Sequence, residues 1–376
     1  MVGVFSFPAL LPDFVAEWGL SNTEAGWISG SIFAGYTLAV PILTALTDRI
    51  DAKRVYLAGA VFAAISALGF TLTANGFWTA VAWRTLGGVG LAGTYMPGLK
   101  ALMDRVSGAR QPRWISFYTA SFSLGTSGSF LITGAMAGAF GWRAAFGLAT
   151  AAAAAAFLLV AIGLPPVKPT PPRRKSNPFD FGSVLRNRAA MGYVLGYCAH
   201  TWELFGARSW MVAFLAWVLA SQPGASGPSP TSIATIGALI AMVASVVGAE
   251  IAVRYGRRQL CVFAMLGSGA LAMVIGFCSG LPYGVAAALM LLYNALIQVD
   301  SAALTTGAVL AADPDRRGAT LSVHSVLGFS AGFVGPLAFG MVLDASGGAN
   351  TGLAWGLAFA SLGVVAAMGP LALRIR

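Results

Sequence analysis

Pro165-Pro166-Val167-Lys168-Pro169-Thr170-Pro171-Pro172-Arg173-Arg174-Lys175 opens the one long interior linker of a chain that is 57% hydrophobic and 10% charged over 376 residues. Proline lacks the backbone N–H that a helix interior needs, so this basic, Pro-rich stretch reads as an extended spacer running on to about Arg188. On either side the sequence falls into apolar segments of about 20 residues, the length of a helix that crosses a bilayer. Six precede the spacer, over 2–18, 24–45, 55–74, 78–101, 115–138 and 143–165. Six follow it, over 190–219, 232–252, 259–278, 283–310, 318–342 and 353–373. The expectation is an all-α membrane protein with twelve transmembrane helices: a six-helix bundle over 1–165, a cytoplasmic linker over 166–189 and a second six-helix bundle over 190–376. The first segment is short and the chain opens almost directly on apolar residues, so this helix is expected to be incomplete at its start.

The placement of charge orients these segments. Of 23 Lys and Arg residues, 20 fall in polar gaps that lie on one side when the segments are counted alternately. These gaps hold Arg49, Lys53 and Arg54; Lys100, Arg105, Arg110 and Arg113; the linker's Lys168, Arg173, Arg174, Lys175, Arg186 and Arg188; Arg254, Arg257 and Arg258; Arg316 and Arg317; and Arg374 and Arg376. Only Arg84, Arg143 and Arg208 fall elsewhere. Lys and Arg accumulate on the cytoplasmic side of multi-pass proteins, so both termini are expected in the cytoplasm, and a bacterial inner membrane is the expected location.

Composition also excludes function classes. A soluble chain of this length is about a quarter charged. The net charge of +10 does not indicate a nucleic-acid surface, because it is spread over short loops between spans. The 47 glycines suit close helix packing in a membrane. Cys198, Cys261 and Cys278 lie inside apolar segments without metal-ligand spacing, so neither a disulfide framework nor a metal site is expected. The N-terminus has no basic region ahead of its apolar stretch and does not read as a cleavable signal peptide.

The two halves echo each other. Asp48-Arg49-Ile50-Asp51-Ala52-Lys53-Arg54 follows the second segment, and Arg254-Tyr255-Gly256-Arg257-Arg258 follows the eighth. Gly141-Trp142-Arg143 opens the sixth segment and Trp355-Gly356 the twelfth. The first loop resembles the Gly-x-x-x-Asp-Arg-x-Gly-Arg-Arg loop of the major facilitator superfamily, with Thr44 and Asp51 in place of its glycines. Its second copy has Val253 where the family has Asp, and Arg84-x-x-x-Gly88-x-Gly90 matches the family's Arg-x-x-x-Gly-x-Gly motif. The order and spacing of these motifs resemble the superfamily over nearly the full length. The Gly-Pro-rich motif of the fifth span, common in family antiporters, has no counterpart in Gly125-Thr126-Ser127-Gly128-Ser129; Gly335-Pro336 occurs in the eleventh span instead.

The resemblance implies a central cavity lined by spans 1, 4, 7 and 10, and most intramembrane ionisable residues fall on those spans. They are Asp13 and Glu17, Arg84, His200, Glu203 and Arg208, and Asp300; His324 lies on span 11. A charge at mid-membrane costs at least a few kcal/mol, so each needs a partner or a role. His200 and Glu203 are three apart on one helix face and are read as a coupled pair for substrate binding and proton coupling, or alternatively as a satisfied structural pair. Asp300 is a proton-coupling candidate. Arg84 either binds an anionic substrate through its planar fork or pairs with Asp13, Glu17 or Glu203. Arg208 is a substrate-binding candidate whose simpler reading is snorkelling to the interface. For His324 the simpler reading is a hydrogen bond across a helix interface. Tyr95, Trp202 and Tyr293 are aromatic candidates for shaping the site, with packing as the competing role. By resemblance, Asp48, Arg49, Arg54, Arg254 and Arg258 are gating residues.

These readings converge on a secondary active transporter, not an enzyme, that works by alternating access and needs no cofactor. It is expected to be monomeric and to use protons to move a small polar solute, an organic or inorganic anion. The alternative is proton-driven efflux of drugs or metabolites. An intramembrane zinc protease would need His-Glu-x-x-His on one helix, whereas the two histidines here lie on different spans. A receptor or scaffold that has lost transport is the remaining rival.

Overall fold

The computed structural model describes residues 1–106, 111–168, 181–313 and 316–375. Residues 169–180 of the expected linker lie outside the described residues, as do Arg110 and Arg376. In chain order the helices are α1 (Ser6–Ala9), α2 (Leu11–Trp18), α3 (Asn22–Leu46), α4 (Ala52–Thr73), α5 (Phe77–Met103), α6 (Gln111–Phe140) and α7 (Trp142–Gly163). These are followed by α8 (Phe181–Arg186), α9 (Arg188–Ala220), α10 (Pro230–Tyr255), α11 (Arg257–Ile275), α12 (Tyr283–Gln298), α13 (Ser301–Ala311), α14 (Arg317–Ala345) and α15 (Gly352–Ala372). Among the described residues, nine helical segments are long and apolar enough to cross a membrane: α3, α4, α7, α9, α10, α11 with the 3-10 turn that extends it to Gly280, α12 together with α13, α14 and α15. The outward faces are apolar. Ile162 is 84% exposed, Trp78 79% and Phe263 76%, surfaces that suit lipid rather than water.

Two expected spans are broken. The first, 2–18, is a turn followed by α1 and α2, which meet at Leu10. Pro12 stands in the first turn of α2, where its missing N–H costs nothing, but it cannot continue a helix onto the carbonyl of Pro8. The tenth, 283–310, breaks at Val299 and Asp300 into α12 and α13. There the Val299 carbonyl packs directly on Gly248 of α10, where any side chain would collide with it.

Hydrogen bonds gather the basic loops at one end of the bundle. Arg105, beyond α5, donates to Asp51 before α4 and to Pro165 after α7. Asn187 before α9 donates to Ala311 of α13. At the opposite end, Trp142 donates to Glu17, and Gln222 donates to Ser279 and Leu281. The segments before and after the linker meet along α3 with α14 and α6 with α10. Glycine makes the first seam possible. Gly26 lies against the Pro336 carbonyl, Gly340 against that of Asn22, and Gly30 against Phe333, so the backbones touch with no side chain between them.

Candidate functional site

The ionisable residues inside the membrane gather mainly on α9 and the helices around it. His200 Nδ1 lies 2.8 Å from Asp300 Oδ1, at the break between α12 and α13, and both residues are 2% exposed. His200 therefore pairs with Asp300, and Glu203 turns elsewhere. Three residues on a helix are offset by about 60° around the axis, enough to aim the two side chains at different neighbours. Glu203 accepts a 2.8 Å hydrogen bond from Ser268 of α11. The Tyr293 hydroxyl of α12 lies beside it. Its second oxygen, Oε1, has no hydrogen-bond partner among the described residues. His324 Nε2 lies 3.3 Å from Thr305 Oγ1, the bond across a helix interface expected for it. The His324 ring stacks on Tyr197 at 3.9 Å, and Tyr197 stacks on His200 at 5.6 Å, so aromatic contact runs from His324 through Tyr197 to the His200–Asp300 pair.

The two interior arginines differ. Arg84 on α5 is buried and donates to the carbonyls of Gly3 and Val4 at 3.2 and 2.9 Å, tying α5 to the start of the chain, while its Nε has no partner among the described residues. None of the carboxylates expected to pair with it does so. Asp13 and Glu17 are exposed, and Glu17 accepts from Trp142. Arg208 does not snorkel: it is 3% exposed. Among the described residues its one hydrogen bond, 3.3 Å to Gln298 Oε1, goes to a neutral group, and its Nε has no partner. Its guanidinium lies 5.9 Å from the ring of Phe5, across the boundary between the halves. Among the described residues no carboxylate lies within ion-pair distance of either arginine.

Aromatic rings pack across the boundary between α3 and the second half. Phe33 of α3 meets Phe205 of α9 at 4.0 Å, and Tyr36 of α3 meets Phe329 of α14 at 4.2 Å. Tyr95 is half-buried against Tyr118 and Phe122. Tyr293 is fully buried beside Glu203, inside the second half rather than between the halves. Trp202 is half-buried, its indole N–H has no partner among the described residues, and its carbonyl packs on Gly335.

Of the gating candidates, Asp48, Arg49, Arg54 and Arg254 are exposed and Arg258 is half-buried. Arg254 lies over the ring of Tyr255 at 5.2 Å. The network in that loop centres on Asp51, one of the two residues that depart from the family motif. Asp51 caps α4 through Lys53 N, accepts the backbone N–H of Val167, and pairs with Arg105 at 3.1 Å. Burial alone would raise its carboxyl pKa. The Val167 and Lys53 N–H groups and the Arg105 guanidinium outweigh that and hold it below its ordinary value of 3.8. Lys53 Nζ in turn donates to Ala161 and Leu164, capping the end of α7. Sequence reasoning missed Asp51, Gln298 and Tyr197 because what marks them is a partner far along the chain.

An all-helical bundle with lipid-facing walls and a buried ionisable set defines a multi-pass membrane fold. The family model of the Major Facilitator Superfamily matches residues 1–370, and the chain belongs to that superfamily. The "Probable sphingolipid transporter spinster homolog 1" of Arabidopsis thaliana is 26% identical over 150 residues, 40% of this chain and 30% of that protein. The chain aligns with less than a third of the length of the curated relatives it matches. The fold is similar to the crystal structure of the nucleoside transporter NupG (TM-score 0.79, 14% identity, covering 99% of this chain and 98% of that one). It is also similar to a bacterial homologue of the human lysosomal transporter Spinster, solved inward-facing and occupied (TM-score 0.73, 18% identity, covering 99% and 91%). These relatives are transporters rather than enzymes.

Proposed function

We propose that the chain is a proton-coupled secondary active transporter that carries a small polar anion across a bacterial inner membrane by alternating access, working as a monomer. The observation that supports this best is the environment of Arg208. A buried guanidinium between the two halves, hydrogen-bonded among the described residues only to neutral Gln298, leaves a positive charge that an anionic solute would complete. The His200–Asp300 pair and Glu203 supply the proton sites. A net charge at mid-membrane is costly, so an anion that travels with a proton crosses more easily than one alone. The Lys- and Arg-rich end is assigned to the cytoplasm. The glycine seam at the far end of α3 and α14 then closes this conformation toward the outside.

The test is a thermal-shift screen of purified protein against small carboxylates, inorganic anions, nucleosides, sugars, amines and lipophilic cations, followed by flux of the hits in proteoliposomes. A ligand that binds the native state raises its melting temperature. Stabilisation by anions, lost in Arg208→Gln, is the expected result. Stabilisation by lipophilic cations alone would replace this reading with efflux, with Glu203 and Asp300 as the binding carboxylates.

A further inference from the structure

Among the described residues, a four-bond polar contact between the two halves lies away from the ionisable site. Asp344, at the end of α14, projects onto the first turn of α3. Its Oδ1 accepts from Asn22 N at 3.1 Å and Asn22 Nδ2 at 2.8 Å. Its Oδ2 accepts from Thr23 N at 2.8 Å and Thr23 Oγ1 at 2.6 Å. The first N–H groups of a helix have no intrahelical partner, and the helix dipole favours a negative charge there. In α3, Ser21 and Glu24 form a capping box that satisfies the N–H groups of Ser21 and Glu24. Those of Asn22 and Thr23 remain, and Asp344 takes both. An exposed ion pair contributes little on its own. Here one carboxylate collects four hydrogen bonds from a single helix start. The contact crosses from residue 344 to residues 22 and 23 at the head of the glycine seam, where Gly340 meets the Asn22 carbonyl and Trp27 meets Phe333 at 5.1 Å.

We propose that Asp344 is a positioning residue for transport: docked on the N-terminus of α3, it holds the far end of the bundle shut. The proposal rests on the alternating-access reading above. Opening that end parts α3 from α14, and the Asp344 contacts must break first. Asp344→Ala removes all four acceptors. Asp344→Asn keeps the size of the side chain and one acceptor oxygen, so it releases the end partially.

The experiment is distance measurement by pulsed electron spin resonance on the full chain in nanodiscs, with Cys198, Cys261 and Cys278 replaced by Ala. One pair of nitroxides, on Asn75→Cys and Ser226→Cys, reports the far end. A second pair, on Leu46→Cys and Tyr255→Cys, reports the basic end. All four positions are exposed. Gly26→Trp serves as a wedge, because any side chain there meets the Pro336 backbone. Asp344→Ala is expected to raise the ratio of open to closed far-end distances by about ten-fold. Asp344→Asn is expected to give a smaller rise, and it replaces the Ala variant should that one fail to fold. If Gly26→Trp opens the far end and neither Asp344 variant does, the halves rock but Asp344 does not hold them, and the proposal is overturned. If Gly26→Trp lengthens the far pair without shortening the basic-end pair, the alternating-access reading fails and takes the proposal with it.

Discussion

Arg84 and Arg208 bring the same guanidinium into the interior, and their neighbours give them different work. Two carbonyls of the first residues hold the terminal nitrogens of Arg84, so Arg84→Lys should leave ligand affinity intact and cost about 1–3 kcal/mol of stability, read by thermal unfolding of purified protein. Arg208→Lys keeps the charge and loses the fork. Affinity for an anionic solute should fall at least ten-fold in equilibrium binding, and unchanged affinity would remove Arg208 from the solute site. Glu203→Gln keeps an acceptor for Ser268 and removes the ionisable proton. It should abolish accumulation driven by a pH gradient while sparing solute exchange in liposomes; accumulation at the wild-type rate would rule Glu203 out. These ionisable residues were legible in the sequence because charge is rare in apolar segments. Their pairing was not. Helical spacing joined His200 to Glu203, whereas the partner is Asp300, one hundred positions along and brought near only by packing.

At the scale of elements, hydropathy located the long helices and missed the two interruptions. The break at Leu10 had a local signal in Pro12. The break at Val299–Asp300 had none, since no glycine or proline falls between Ile297 and Ala303. That second break depends on Gly248, so Gly248→Ala should force the Val299 carbonyl away and destabilise the fold by about 1–3 kcal/mol, again read in thermal unfolding. The tie at Asp51 carries a pH signature. Its carboxyl sits below its ordinary value, so the tie contributes stability in full above pH 3.8 and loses it as pH falls through the lowered value. Asp51→Asn should therefore lower stability at neutral pH and flatten the acid limb of the stability curve. An acid limb identical to wild type would mean that Arg105 and Val167 draw nothing from the charge.

At the scale of the whole molecule, the clustering of basic loops at one end of the bundle was visible in the order of the sequence. The seam between the halves was not, because its glycines look like those of any membrane helix until two backbones are seen to touch. The seam also bears on how the halves separate. Where Gly26 leaves the Pro336 carbonyl, that oxygen stays bonded, since Trp210 Nε1 of the same half donates to it at 2.9 Å. Backbone packed on backbone holds few interlocked rotamers to disengage. Parting the helices at Gly26 therefore leaves the Pro336 oxygen with its partner. The groups that must exchange protein partners are those around Asp344, at the exposed rim, and Ser127 of α6, which donates to the Thr235 carbonyl of α10.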